Sequence, residues 1–228
     1  MDSSNTLQET PILYSYFRSS SSARVRIALN LKGIAYKQQA INLLKGEQRS
    51  ESYLQRNPSG LVPCLLINGQ TLTQSIAILE YLEETYRGSE TPPLLPSSPQ
   101  LRAQVRAIMG VICCDIQPLQ NLRVLQTVAE DQRAEYAKRV IADGLAVVEK
   151  MLEQCAGRYC VGDQVSLADC CLIPQLINAH RYGVDLDRFP RIQAVEKHTG
   201  ELGAFRQAHW SRQPDCPEEL RDTLAAAN

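Results

Sequence analysis

Strand signals run through the early part of this chain and then stop. The change falls at SETPPLLPSSP, Ser89 to Pro99, where proline denies helix continuation and serine favours loops. Before it, short apolar runs bounded by turn residues alternate with helical periods. After it, apolar residues recur only at helical spacing. A chain of 228 residues is one large domain or two small ones, and the change of period argues for two. The expected division is an α/β domain over 10–90, a linker over 91–99 and an all-helical domain over 100–220.

In the first part, Ile12–Phe17 reads as a strand and Ser22–Lys32 as a helix, with Val25, Ala28, Leu29 and Lys32 at helical spacing and Gly33 closing it. Ala35–Ile41 reads as a second strand. Glu47–Arg56 is a short polar helix stopped by Asn57-Pro58. Pro63 opens a strand through Ile67, and Asn68-Gly69 is a two-residue hairpin turn that demands positive φ. Thr71–Thr73 returns, and a helix follows from Ser75 to Tyr86. A strand-helix-strand unit followed by a hairpin and a helix predicts a small mixed sheet covered by helices. In the second part, Leu101, Val105, Ile108, Ile112, Leu119 and Leu122 keep helical spacing, with a kink expected near Pro118. Glu135–Gln154 is an amphipathic helix. SLADCC then carries a capping box, Ser166 with Asp169, and Val165 and Cys170 occupy the two staple positions.

Composition removes several classes of function. The net charge of −1 provides no field for nucleic acid or an anionic membrane surface. The apolar runs stop well short of the roughly 20 residues of a membrane span. The N-terminal MDSSNTLQETPILY has no basic residue before Arg18 and reads as a short disordered lead-in, neither a secretory signal nor an Arg-rich transit peptide. Eight cysteines occur without a CxxC or a Cys/His ligand spacing. They read as reduced thiols of a cytosolic protein, mostly core filler, and no metal site is expected.

The stretch YSYFRSSSSARVRIALNLKG places four serines between a strand and a helix. A helix N-terminus offers unpaired N–H groups and a partial positive charge to an anion. A serine hydroxyl there can add one more hydrogen bond to such an anion. Taken alone, the run reads first as a flexible turn and a helix cap.

SSSSARVRIALNLKG, then NPSGLVP, QSIAILEYLEE, IQPLQNL, the capping box and NAHRYGVDL occur in that order from about Pro11 to Pro217. The pattern resembles the zeta class of glutathione S-transferases, which act as maleylacetoacetate isomerases. The resemblance implies the glutathione transferase fold, an α/β thioredoxin-like N-terminal domain followed by an all-α C-terminal domain, and a homodimer. It implies glutathione as cofactor and a small diketo-dicarboxylic acid with a cis double bond as substrate. Isomerisation then proceeds by thiolate addition, rotation and elimination, on the route of tyrosine breakdown.

By family position, Ser19 is the thiolate donor and Ser20 the second candidate, with Ser22 and Arg24 also at the glutathione site. Val62-Pro63 resembles a cis-proline turn whose Val62 main chain docks the cysteinyl unit. On its own it is an edge-strand proline. Gln74-Ser75 suits the γ-glutamyl carboxylate, or is a plain N-cap. Gln48 reaches the glycyl end, or is a solvated helix residue. Gln117 and Asn121 match positions near the ligand, or form a polar stripe on a helix. Arg181 matches the family's substrate arginine, or is a C-terminal cation favoured by the helix dipole. Arg123 is similar to an arginine of bacterial maleylpyruvate isomerases, and Arg18 is a further substrate candidate. The family has cysteine and tryptophan where this chain has Ser21 and Ala23. Rival readings are a maleylpyruvate isomerase, a broader transferase or dehalogenase, and a non-enzymatic transferase-like binding module.

Overall fold

The computed structural model describes residues 9–88 and 91–221. The lead-in up to residue 8 and the Ser89-Glu90 start of the proline-rich segment lie outside the described residues. Contacts divide the chain into Met1–Leu82 with Ala208–Asn228, and Glu83–Gln207.

The first unit is built on β1 (Ile12–Ser15), α1 (Ser20–Leu31), β2 (Lys37–Ala40), α2 (Glu51–Leu54), β3 (Cys64–Ile67), β4 (Gln70–Thr73) and α3, which begins at Ser75 and ends at Thr85. The sheet order is β2-β1-β3-β4. Strands β1 and β2 are parallel, with Ile12 opposite Lys37, and α1 supplies the crossover that parallel pairing requires. Strand β3 runs antiparallel to both β1 and β4. Asn68 and Gly69 form the expected hairpin turn at φ of 51° and 71°. Leu13, Val25, Leu29, Leu65, Ile78 and Leu79 are fully buried between sheet and helices.

Three local departures from the sequence reading have physical causes. Strand β1 stops at Ser15 rather than Phe17, because the chain turns there and the Ser19 amide donates to the Tyr16 carbonyl at 3.0 Å. Helix α1 begins at Ser20, two residues early, with Ser19 as its cap. The polar helix expected over Glu47–Arg56 is two pieces, a 3-10 turn at Glu47–Arg49 and α2. Ser50 separates them, since its backbone is extended (φ −64°, ψ 146°) and its hydroxyl accepts the Tyr53 amide.

The C-terminal segment, read from sequence as the end of the helical domain, packs on the first unit. The Arg26 guanidinium is fully buried and donates to Ala208 O at 3.1 Å and to Ser15 Oγ at 2.9 Å. Burial pushes it down to about 10, so it stays protonated at neutral pH. Cys216 joins Tyr16, Phe17, Ile41, Tyr53, Val62 and Cys64 in one apolar cluster, with Trp210 packed against it.

The second unit is helical: α4 (Pro99–Gly110), α5 (Leu122–Leu125), α6 (Arg133–Cys155), α7 (Leu167–Arg181) and α8 (Pro190–Gly200), with α9 (Gly203–Ala208) at its end. The break expected near Pro118 begins earlier, as a π-helical turn over Val111–Ile116. That widened turn brings Ile116 onto α6 at Gly144, where any Cβ would collide with it. At the start of α7 the buried Asp169 carboxylate accepts the Ser166 amide and hydroxyl, both at 2.8 Å, and the Cys160 amide at 2.9 Å. Burial pushes its carboxyl up, and the donors from Cys160 and Ser166 oppose that shift.

All eight cysteines are free, and five of them are buried. No group of His, Cys, Asp and Glu suited to a metal ion occurs among the described residues. No helix among them is long and apolar enough to cross a membrane.

Candidate functional site

The serine run folds into a tight turn and the first turn of α1. Ser19 is the N-cap (φ −71°, ψ 113°), and its Oγ accepts the Ser22 amide at 3.1 Å. Its own hydroxyl proton remains available to a ligand. The amides of Ser20 and Ser21 lie in the first turn, where no intrahelical acceptor exists. Ser20 is buried, and Ser22 is fully buried with an Oγ that has no partner among the described residues.

Arg24 lies one turn further along α1 and is 2% exposed. Its Nη1 donates to Ser75 Oγ at 3.1 Å, while Nε and Nη2 have no partner among the described residues. A buried cation with unspent donors is costly unless an anion completes it. Ser75 opens α3, so this bond ties the first turns of two helices together. Gln74, just before it, is exposed and holds φ of 66°. An ordinary side chain in the left-handed region costs roughly 1–2 kcal/mol, and such strain clusters at functional positions.

The Val62-Pro63 bond is cis, as expected. The preceding Leu61 carbonyl is held by Tyr53 Oη at 2.6 Å and Asn57 Nδ2 at 2.7 Å. The backbone N–H and C=O of Val62 form no hydrogen bond among the described residues. An extended peptide can therefore pair with them as an added strand. Burial pushes the neighbouring Cys64 thiol up, so it is not a ready thiolate. Gln48 sits on the 3-10 turn, with Nε2 3.5 Å from Leu43 O and a buried Oε1 that lacks a partner. Arg18 is exposed and lies over the rings of Phe17 and Trp210 at 5.4 and 5.7 Å.

The first unit thus links Ser19, Ser22 and Arg24 along one helix end and joins Arg24 to Ser75. No hydrogen bond among the described residues joins Gln48 or Arg18 to that set. Sequence spacing did not mark Arg26 as buried, and it gave no hint of the Phe17 contact made by Asp215 across 198 positions.

The other candidates lie in the second unit. Gln117 follows the π-helical turn, its amide bonded back to Ile112 O at 3.0 Å. Asn121 caps α5, its Oδ1 accepting the Arg123 amide at 3.1 Å. Arg123 is exposed on α5. Arg181 ends α7, is exposed, and lies over the Tyr182 ring at 5.5 Å. Neither arginine makes an ion pair among the described residues.

Residues 9–84 match the glutathione S-transferase N-terminal domain, and residues 126–197 match the C-terminal domain of the same enzymes. Maleylacetoacetate isomerase of Mus musculus is 52% identical over 213 residues, which cover 92% of this chain and 97% of that one. A solved holo structure of maleylpyruvate isomerase, described as a bacterial zeta-class glutathione S-transferase, superposes with a TM-score of 0.86 at 41% identity, covering 90% of this chain and 100% of that one. Maleylacetoacetate isomerase of Anaeromyxobacter dehalogenans, solved with glutathione in its active site, gives 0.82 at 44% identity, covering 91% and 98%. With family models over both parts of the chain and relatives of this identity along nearly all of it, the chain belongs to the glutathione S-transferases, in the zeta class with the maleylacetoacetate isomerases.

Proposed function

We propose that the protein is a glutathione-dependent cis–trans isomerase that converts maleylacetoacetate to fumarylacetoacetate. The observation that carries this reading is the set of unspent polar groups in the first unit. These are the Val62 main chain, the buried Arg24 nitrogens and the Ser22 hydroxyl, beside a capping Ser19 with a proton to give. They fit a peptide-like ligand that carries both a carboxylate and a thiol. Bound glutathione supplies a thiolate that adds to a cis double bond and leaves again, so none is consumed.

The chain's own residues do the rest. Val62 pairs with the ligand's main chain. Because Arg24 donates to Ser75 Oγ, the Ser75 hydroxyl is free to turn its proton to a carboxylate, and the first-turn amides of α3 add to it. Gln74 and Gln48 bind the two ends of the tripeptide. Ser19 donates to sulfur, and the amides at the start of α1 favour its charged form. Ser20 is the second candidate for that bond. By family position Gln117 and Asn121 are further ligand candidates, Arg181 is the candidate for a substrate carboxylate, and Arg18 is a further cation.

A second reading, maleylpyruvate as substrate, is favoured by the exposed Arg123 and by the superposition on a maleylpyruvate isomerase. Competition between the two diketo acids in one assay separates the readings through their kcat/KM values. Zeta-class membership and the eight free thiols support a homodimer in the cytoplasm, acting in tyrosine breakdown.

Arg181→Ala is expected to lower kcat/KM for the diketo acid about fivefold, from the roughly 1 kcal/mol that an exposed charge pair contributes. Glutathione affinity, measured by calorimetry, stays near that of the parent. A collapse of glutathione affinity instead would place Arg181 outside the substrate role.

A further inference from the structure

The turn that presents Ser19 is gripped by residues well away from it. The Phe17 amide donates to Asp215 Oδ2 at 2.8 Å, and the Phe17 carbonyl accepts Arg26 Nη2 at 3.2 Å. The Tyr16 carbonyl accepts the Ser19 amide at 3.0 Å and a longer bond from Arg26 Nη1 at 3.5 Å. The other Asp215 oxygen takes Gln38 Nε2 at 3.1 Å, from the neighbouring strand β2. Arg26 Nε holds Ala208 O at 3.1 Å, so the C-terminal segment is tied at two points. Trp210 packs on Phe17 from outside, with ring centroids 6.3 Å apart.

We infer that Asp215, together with Arg26, is a positioning residue for Ser19. Phe17 lies two residues before Ser19, and its amide is held by Asp215 and its carbonyl by Arg26. A donor hydrogen bond to sulfur weakens steeply as its angle departs from linear, so fixing the turn fixes the strength of that bond. The C-terminal segment is thus part of the thiolate site, although it supplies no group to the ligand. This inference rests on reading the first unit as a glutathione site, and its test keeps the two apart.

The test measures thiolate absorbance of the glutathione complex against pH in the parent and in Asp215→Ala, Asp215→Asn and Asp215→Glu. Glutathione affinity is measured in parallel by calorimetry. Asp215→Ala is expected to raise the pKa of the bound thiol by about one unit, a tenfold change in its acid dissociation constant. Asp215→Asn restores most of the parent value, because an amide oxygen still accepts the Phe17 N–H and the Gln38 amide can rotate to match. Should the alanine variant not fold, Asp215→Glu serves. It keeps the charge but displaces the acceptor by one methylene, and it too raises the thiol pKa.

The sign separates positioning from field. If Asp215 acts only as a negative charge near sulfur, both neutral variants lower the thiol pKa, and the inference is overturned. An unchanged pKa in the alanine variant, or in Glu if that is the variant that folds, overturns it as well. Absence of glutathione binding in the parent would overturn the underlying site reading and this inference with it.

Discussion

Ser19→Ala is expected to lower turnover at neutral pH on the order of a hundredfold, the usual cost of removing one aligned donor from a developing or standing anion. Two roles meet at this hydroxyl. Its oxygen accepts the Ser22 amide and caps α1, and in the proposed reading its proton goes to the sulfur. Loss of the cap costs about 1 kcal/mol of stability, too little to unfold a domain of ordinary stability. The activity loss therefore has to come through the thiol. Absorbance titration of the bound thiol should show a raised pKa in Ser19→Ala and a smaller rise in Ser20→Ala, whose hydroxyl is buried in the first turn. Equal or reversed losses would move the donor role to Ser20.

The largest effect on stability is expected at Asp169, in the other unit. Asp169→Ala removes the acceptor of the Cys160 and Ser166 amides and of the Ser166 hydroxyl, all within a buried site. Each buried donor left unpaired costs about 1–3 kcal/mol, so a loss of about 3 kcal/mol or more is expected. For a protein of this size that corresponds to a Tm lower by roughly 10 °C. Asp169→Asn keeps the shape and one acceptor and should lose less. Calorimetric unfolding of the three proteins measures the order. A Tm within 2 °C or so of the parent for the alanine variant would mean that the network adds little to α7.

These residues also mark what could be read from sequence. Asn68-Gly69, the Ser166–Asp169 box and Val62-Pro63 each act through their neighbours in the chain, and each formed where it was expected. Ser50 is equally local, yet it reads as one more polar residue until its backbone is seen to be extended. The π-helical turn over Val111–Ile116 carries no residue that announces it. It answers to Gly144 on another helix. Arg24 and Arg26 sit at positions that suggest a solvated helix face, and their burial depends on acceptors supplied from elsewhere: Ser75, Phe17 and Ala208. Asp215 is the extreme case, since its partner Phe17 is 198 positions away. The roles carried over from the family resemblance gain physical content from the same contacts. Val62 has an unspent main chain beside a Leu61 carbonyl that is already held twice.

The most direct measurement follows maleylacetoacetate, fumarylacetoacetate and glutathione together by NMR in the presence of the purified protein. The expected result is conversion of the cis to the trans acid only when glutathione is present, with the total of free glutathione unchanged after many turnovers. No conversion of maleylacetoacetate, or conversion that consumes glutathione into a stable conjugate, would contradict the assignment of this chain as an isomerase.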